Sequence, residues 1–105
     1  MYLPEIFKTF MEQHSEIADA YRKVGDLCAQ AGPVDRKTQH LIQLGVSIGA
    51  ASKGAVRSHV RRAMDAGASP EEVVQAVLLS ATIVGFPQMI AAYGWVREVL
   101  YATGE

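Results

Sequence analysis

The segment Ala66-Gly67-Ala68-Ser69-Pro70-Glu71-Glu72, AGASPEE, decides how the second half of the chain folds. Gly67 can adopt the left-handed conformation that ends a helix. Ser69 can cap the next helix, Pro70 suits its first position, and Glu72 completes a capping box. The segment therefore predicts that one helix ends just before Gly67 and that another begins at Pro70.

Apolar residues recur at helical spacing on both sides of this turn, and almost no segment has the alternating pattern of a β-strand. We expect a first helix from Pro4 to about Ala31, with a potential break near His14 and Ser15, ended by Gly32-Pro33. Three more helices should follow: one capped by Asp35, one from Lys53 to about Ala66, and one from Pro70 to about Val84. A fifth should run from near Pro87 to before Gly104. The sequence predicts one all-α domain, 1–105, built as a compact bundle of about five helices.

One stretch raises the alternative of a membrane helix. The segment Val73–Val96 has no charged residue and is long enough to span a bilayer. Gly85-Phe86-Pro87 lies in its middle, where proline disfavours a helical conformation at the residue before it. Two shorter helices fit better. The N-terminus also lacks the features of a secretory signal, so we expect a cytoplasmic protein without a membrane partner.

Composition indicates self-association. Half of the 105 residues are hydrophobic and the net charge is −1, which offers no electrostatic attraction to nucleic acid. A chain of this length buries only about 60–70% of the surface of its unfolded state. The predicted fourth helix is apolar on nearly every side, so it is either central or at an interface. We expect a homo-oligomer.

Cysteine usage limits the chemistry. Cys28 is the only cysteine, so the chain can form neither an internal disulfide nor a dithiol centre, and one thiol cannot build a four-ligand zinc site. We expect no metal and no cofactor.

The candidate site residues lie on the second and third predicted helices. His59 should project beside Val56 and Met64 on the inward face, with Arg57, Arg61 and Arg62 toward the other side. On the second helix a 4-3-4 spacing aligns a polar stripe of Arg36, His40, Gln43 and Ser47. The stripe could line a cleft or simply face solvent, and His59 could serve as a core histidine bonded to a backbone carbonyl.

The order of these pieces resembles the carboxymuconolactone decarboxylase and alkylhydroperoxidase D-like family over roughly residues 35–100. The segments that carry the resemblance are RKTQHLIQLGVSIGAA, RSHVRRAMDAGASPEEVVQAVLLSA and VGFPQMIAAYGWVREVL. The resemblance implies an all-α fold and a trimer or hexamer.

In the peroxidase-like branch, the resemblance implies a Cys-x-x-Cys pair, a histidine four residues later and a glutamate twelve residues before the first cysteine. His59 matches the histidine. Ser52 and Ala55 stand at the cysteine positions, and His40 stands at the glutamate position. Because thiol peroxidase chemistry needs a thiolate and a resolving thiol, these departures disfavour it.

The decarboxylase branch, which acts on small cyclic lactone acids, also lacks the cysteine pair. The resemblance therefore allows cofactor-free acid–base chemistry on a small carboxylic acid or lactone, with His59 and His40 catalytic. The candidate substrate-binding residues are Arg36, Gln43, Ser47, Ser52 and Arg57. Ser52 lies about 10 Å from His59 along a helix and is better interpreted as an N-cap. The alternatives are a non-catalytic or ligand-binding oligomer and, less favoured, an alkylhydroperoxidase-like antioxidant protein.

Overall fold

The structure, a computed structural model, describes residues 4–101, which form six α-helices without a strand. The helices are α1 (Glu5–Gln13), α2 (Ser15–Ala29), α3 (Arg36–Gly49), α4 (Lys53–Asp65), α5 (Pro70–Val84) and α6 (Phe86–Leu100). The predicted all-α class is confirmed. The described residues form six helices where about five were predicted, because the first predicted helix is divided at the potential break near His14. The helices fall into two compact units, Met1–Pro33 and Val34–Glu105.

The first unit contains α1 and α2. They are separated at His14, whose φ of −135° and ψ of 55° are not helical. The backbone N–H of His14 donates to the Phe10 carbonyl at 2.8 Å, and the two rings lie 5.2 Å apart. Arg22 contacts Asp19 on its own helix and the Met11 sulfur of α1. Neither helix contains a buried residue.

The second unit contains α3 to α6 and has a hydrophobic core. Its buried apolar side chains come from all four helices and from the turn before α5, and they are Leu44, Ile48, Val56, Val60, Ala63, Ala68, Val73, Val77, Met89, Ala92 and Val96. The apolar positions of α3 and α4 recur every three or four residues, so each of these helices buries one face against the others.

The turn between α4 and α5 forms as its sequence predicts. Gly67 has a φ of 104°, which a residue with a Cβ adopts only with strain. The Ser69 hydroxyl accepts from the backbone N–H of Glu72 at 3.1 Å, and the Glu72 carboxylate accepts from the backbone N–H of Ser69 at 2.9 Å. The predicted capping box is therefore confirmed.

The uncharged stretch Val73–Val96 is two helices, as predicted. Gly85, with a φ of 91°, ends α5, and α6 begins at Phe86, one residue before the expected start. Within residues 4–101, none of the helices combines the length and apolar character needed to cross a membrane.

Polar contacts hold α3 against its neighbours at both ends. Near its start, the Lys37 ammonium lies 3.0 Å from the Glu72 carboxylate of α5. At its end, the Gln88 side-chain amide of α6 donates to the Ile48 carbonyl at 2.6 Å. That carbonyl belongs to the last turn of α3, where backbone acceptors lack helical partners. These contacts fix the helix that carries His40.

The capping box should contribute measurably to stability. In Ser69→Ala, the Glu72 N–H loses its acceptor, so we expect the free energy of unfolding to fall by about 1 kcal/mol. Urea denaturation, followed by circular dichroism at one protein concentration, measures the change.

The matched control is Thr82→Ala, at an exposed position inside the same helix. Because alanine is the better helix former, this change should stay within about 0.5 kcal/mol of zero. Equal destabilisation by the two substitutions would mean that the Ser69 cap does not stabilise the turn.

Candidate active site

The first turn of α3 is organised by Asp35. The Asp35 carboxylate accepts from the Thr38 hydroxyl at 2.6 Å and from the Thr38 backbone N–H at 3.5 Å, as expected of the predicted N-cap. These bonds lower the pKa of Asp35. Capping fixes where the helix starts, and His40 follows within the next turn. His40 is only 7% exposed.

The start of α4 is organised by Ser52. The Ser52 hydroxyl accepts from the Ala55 backbone N–H at 3.3 Å, so Ser52 is the predicted N-cap of this helix. Ser52 lies about two helical turns before His59, so its hydroxyl is far from the His59 imidazole. His59 is partly exposed, whereas its helix neighbours Val56 and Val60 are fully buried.

The two histidines meet across α3 and α4. The Nδ1 atoms of His40 and His59 lie 3.4 Å apart, and the ring centroids are separated by 5.6 Å with the planes inclined at 31°. An N–H···N hydrogen bond at this distance is long. It requires one ring to carry its proton on Nδ1 and the other ring to present a lone pair there. The accepting ring must then carry its own proton on Nε2.

Both imidazoles favour the neutral form. Burial lowers the pKa of His59 to about 4, and the charges of His40 and Arg62 act in the same direction. Burial also lowers the pKa of His40, with further lowering by Arg36 and Arg62, while a hydrogen bond with the Gln43 side chain opposes the shift. The pair is therefore proton-poor at neutral pH and can accept a proton.

Arg62 is the site residue that the sequence interpretation missed. We expected it on the side of α4 opposite to His59, yet its charge acts on both histidines. Its Nε atom is buried without a hydrogen-bond partner among the described residues. The signal was its spacing of three residues from His59, since residues three apart are neighbours on a helix surface.

The polar stripe of α3 divides between interior and solvent. Arg36 and Gln43 are exposed, whereas His40 and Ser47 are buried. The Ser47 hydroxyl donates to the Gln43 carbonyl at 2.7 Å, so it satisfies its own helix. The polar stripe of α3 therefore does not simply face solvent.

Arg57 is engaged in an ion pair. Its guanidinium donates to the Glu98 carboxylate of α6 at 2.6 Å. The pair links α4 to α6, and Arg57 is not among the charges that shift the pKa of His59. The structure thus places Arg57 in a contact with α6, separate from the contact between His40 and His59.

A groove of about 790 Å³ runs between α3 and α5. Its walls are mostly apolar, and they include Ile42, Val46, Leu79 and Ile83. Neither His40 nor His59 is among its lining residues. The groove and the histidine pair are therefore separate features of the second unit.

Sulfur and metal ligands are sparse. Cys28 is exposed on α2. Within the part of the chain that the structure describes, no group of three or more His, Cys, Asp or Glu side chains could hold a metal ion. The groups available for proton transfer at the histidine pair are the two imidazoles themselves.

The sequence pattern of the carboxymuconolactone decarboxylase family matches residues 15–98, which is well over half of the chain. The chain belongs to the carboxymuconolactone decarboxylase family. The matched region begins in α2 and reaches α6, so it extends further toward the N-terminus than the 35–100 of the expected resemblance. Both His40 and His59 lie within it. A search of curated proteins finds no match.

The lowered pKa of His59 makes stability depend on pH with a defined sign. Between the ordinary value of 6.5 and about 4, the unfolded chain binds a proton that the folded chain excludes. The stabilisation is complete above pH 6.5 and is lost as the pH falls toward 4. After allowance for partial exposure, the His59 contribution is about 1–2 kcal/mol. In His59→Gln, chemical denaturation at several pH values should show a weaker loss of stability across this range.

His14→Gln provides the control, because His14 is exposed at the junction of α1 and α2. Its pH profile should follow that of the unmodified protein. A His59→Gln profile with an undiminished slope would contradict the assigned shift.

Proposed function

We propose that this chain catalyses cofactor-free acid–base chemistry on a small carboxylic acid or lactone, centred on His59. The observation that supports the proposal best is the 3.4 Å contact between His59 and His40. Membership of the carboxymuconolactone decarboxylase family supports the same class of chemistry. His59 is the partly exposed member of the pair and is therefore the one that contacts substrate.

The reaction requires a group that moves one proton. When a carboxylated lactone loses carbon dioxide, the bond to the carboxyl carbon breaks and its electron pair is delocalised toward the lactone carbonyl. The carbon that carried the carboxyl group then takes a proton. Overall, one carboxylate and one proton yield the decarboxylated lactone and carbon dioxide. No electrons leave the substrate, and no redox cofactor is needed.

The histidine pair suits this proton transfer. An imidazole with a lowered pKa is neutral at pH 7 and, once protonated, is a strong acid toward a developing carbanion. His40 contacts the Nδ1 atom of His59, so the tautomer of one ring is coupled to the tautomer of the other. We assign His59 as the catalytic residue and His40 as its proton-sharing partner.

The remaining predicted residues contribute unequally to the proposal. Arg36 is exposed on α3 and its charge acts on His40, so it can interact with a substrate carboxylate near the pair. The Gln43 side chain opposes the lowering of the His40 pKa, so we assign it a role in positioning that ring. Ser47 and Ser52 are engaged with backbone groups of their own helices.

Binding of a carboxylic acid without turnover is the alternative function. It is favoured by the same positive charges around the pair, because Arg36 and Arg62 both act on His40. The peroxidase alternative has less support, because Ser52 is an N-cap rather than a thiol and Cys28 is a single thiol without a resolving partner in the sequence.

His59→Gln tests the catalytic assignment. Glutamine keeps polarity and approximate size but cannot exchange a proton near neutrality. Carbon dioxide release from a panel of small carboxylated lactones should fall about 100-fold or more, while circular dichroism remains unchanged. His14→Gln should retain full activity.

Three further outcomes of this experiment are informative. Retained turnover in His59→Gln would contradict the proposal. If the unmodified protein shows no turnover, yet benzoate stabilises it against heat and His59→Gln abolishes this effect, the binding alternative is supported. A lower melting temperature with no change in ligand response would assign His59 a structural role.

We further propose that the second unit associates with copies of itself. Apolar side chains on α5 and α6 are strongly exposed, with Leu79 at 67%, Ile83 at 84% and Phe86 at 65%. Contiguous apolar surface of this kind is typical of interaction sites. The mostly apolar groove between α3 and α5 extends it, and the resemblance implies a trimer or hexamer.

Ile83→Asp should disrupt this assembly, because a carboxylate would be buried at an apolar interface. Light scattering should show a multimer for the unmodified protein and a lower mass for the variant. Val34→Asp, at an apolar side chain 44% exposed outside this face, should leave the mass unchanged. A monomeric mass for the unmodified protein in dilute neutral buffer would overturn the proposal.

A further inference from the structure

The charges around the histidine pair are unbalanced. Arg36 from α3 and Arg62 from α4 lower the pKa of one or both rings, and among residues 4–101 no acidic side chain contributes a shift to either. Two acidic groups of the neighbouring helices are paired elsewhere. Glu72 of α5 contacts Lys37, and Glu98 of α6 contacts Arg57. A proton on the pair therefore has no counter-charge from these groups.

Arg62 carries a donor that is left unsatisfied. The Nε atoms of Arg57 and Arg62 are both buried without a hydrogen-bond partner among the described residues, although buried polar groups are nearly always bonded. The Arg57 guanidinium has an acidic partner in Glu98, whereas the structure shows no ion pair for Arg62 within residues 4–101. Arg62 follows His59 by three residues on the same helix, which places the two side chains side by side. An anionic oxygen at this position would accept from the guanidinium and lie near the imidazoles.

We propose that a bound anion supplies the missing charge: its carboxylate docks on Arg62 and draws one proton from solvent onto the His40–His59 pair. The inference rests on the proposed function in one respect, namely that the pair forms part of a site for small carboxylic acids. It adds that binding of the ligand protonates the His40–His59 pair, which then serves as the acid. Binding consumes one carboxylate and one proton, and the proton is shared between two Nδ1 atoms that already lie 3.4 Å apart.

Two consequences distinguish this coupling from simple ion pairing. The affinity for a carboxylate rises as the pH falls, by up to tenfold per pH unit when one proton is taken up. An uncharged ligand of the same shape produces no proton uptake. Arg62 thus has two effects: in the free protein its charge adds to burial in disfavouring a proton on the pair, and in the complex it holds the anion that reverses this.

Nuclear magnetic resonance of the histidine ring Cε1–H groups tests the coupling directly. The pH titrations of His40 and His59 are recorded with and without benzoate, at matched ionic strength, and are assigned with His40→Gln and His59→Gln. We expect benzoate to raise the titration midpoint of the pair by at least about one pH unit. The exposed His14 serves as an internal reference and benzamide as the uncharged control.

Arg62→Gln should weaken benzoate binding about tenfold or more, because it removes the charge-assisted contact. Arg62→Lys retains the charge and provides a second variant if the glutamine variant fails to fold. Arg97→Gln is the matched control, since Arg97 is an exposed arginine of α6 that lies over the rings of Tyr93 and Tyr101. It should bind benzoate as the unmodified protein does.

The outcomes separate this inference from the proposed function. Benzoate binding that depends on Arg62, with a raised midpoint of the pair, supports the inference. Binding that leaves both midpoints unchanged overturns the inference while the acid site stands. Absence of any benzoate effect on the His40 and His59 resonances up to high concentration also overturns the inference, while the proposed function is decided separately by the release of carbon dioxide from the lactone panel.

Discussion

The contact between His40 and His59 is the feature on which the proposed chemistry of this chain depends. It exists because α3 and α4 pack together through fully buried side chains, among them Leu44, Val56 and Val60. That packing places one imidazole from each helix at the same level, with the Nδ1 atoms 3.4 Å apart. A shift of one residue along either helix would rotate the ring by about 100° and separate the pair.

The register of the two helices is fixed by short-range hydrogen bonds that the sequence reveals. Asp35 and Ser52 cap α3 and α4, and the Ser69 capping box begins α5. Each of these bonds joins residues three apart, so the pattern lies within a few adjacent letters. This is why the helix starts and the interruption at Gly85 could be predicted. The break at His14 was less certain, because no glycine or proline marks it.

The grouping of the site residues was harder to predict, because it depends on packing between helices. His40 and His59 are separated by 19 positions, and nothing local indicates that their rings meet. The family resemblance indicated both positions without showing their contact. Arg62 was expected toward the other side of α4 from His59, yet its charge acts on both rings, as its spacing of three residues from His59 allows. Arg57 has the same side chain, yet it bonds to Glu98.

The electrostatics of the pair oppose a purely structural role. Burial and the charge of Arg62 disfavour a proton on either imidazole, so the arrangement becomes less favourable as the pH falls below the ordinary histidine range. A neutral amide at either position could supply a hydrogen bond without that sensitivity. A buried arginine nitrogen without a partner adds a further cost. The proposed anion between Arg62 and the histidines would relieve both unfavourable features at once, and this is the physical reason for preferring an anion site to a purely structural pair.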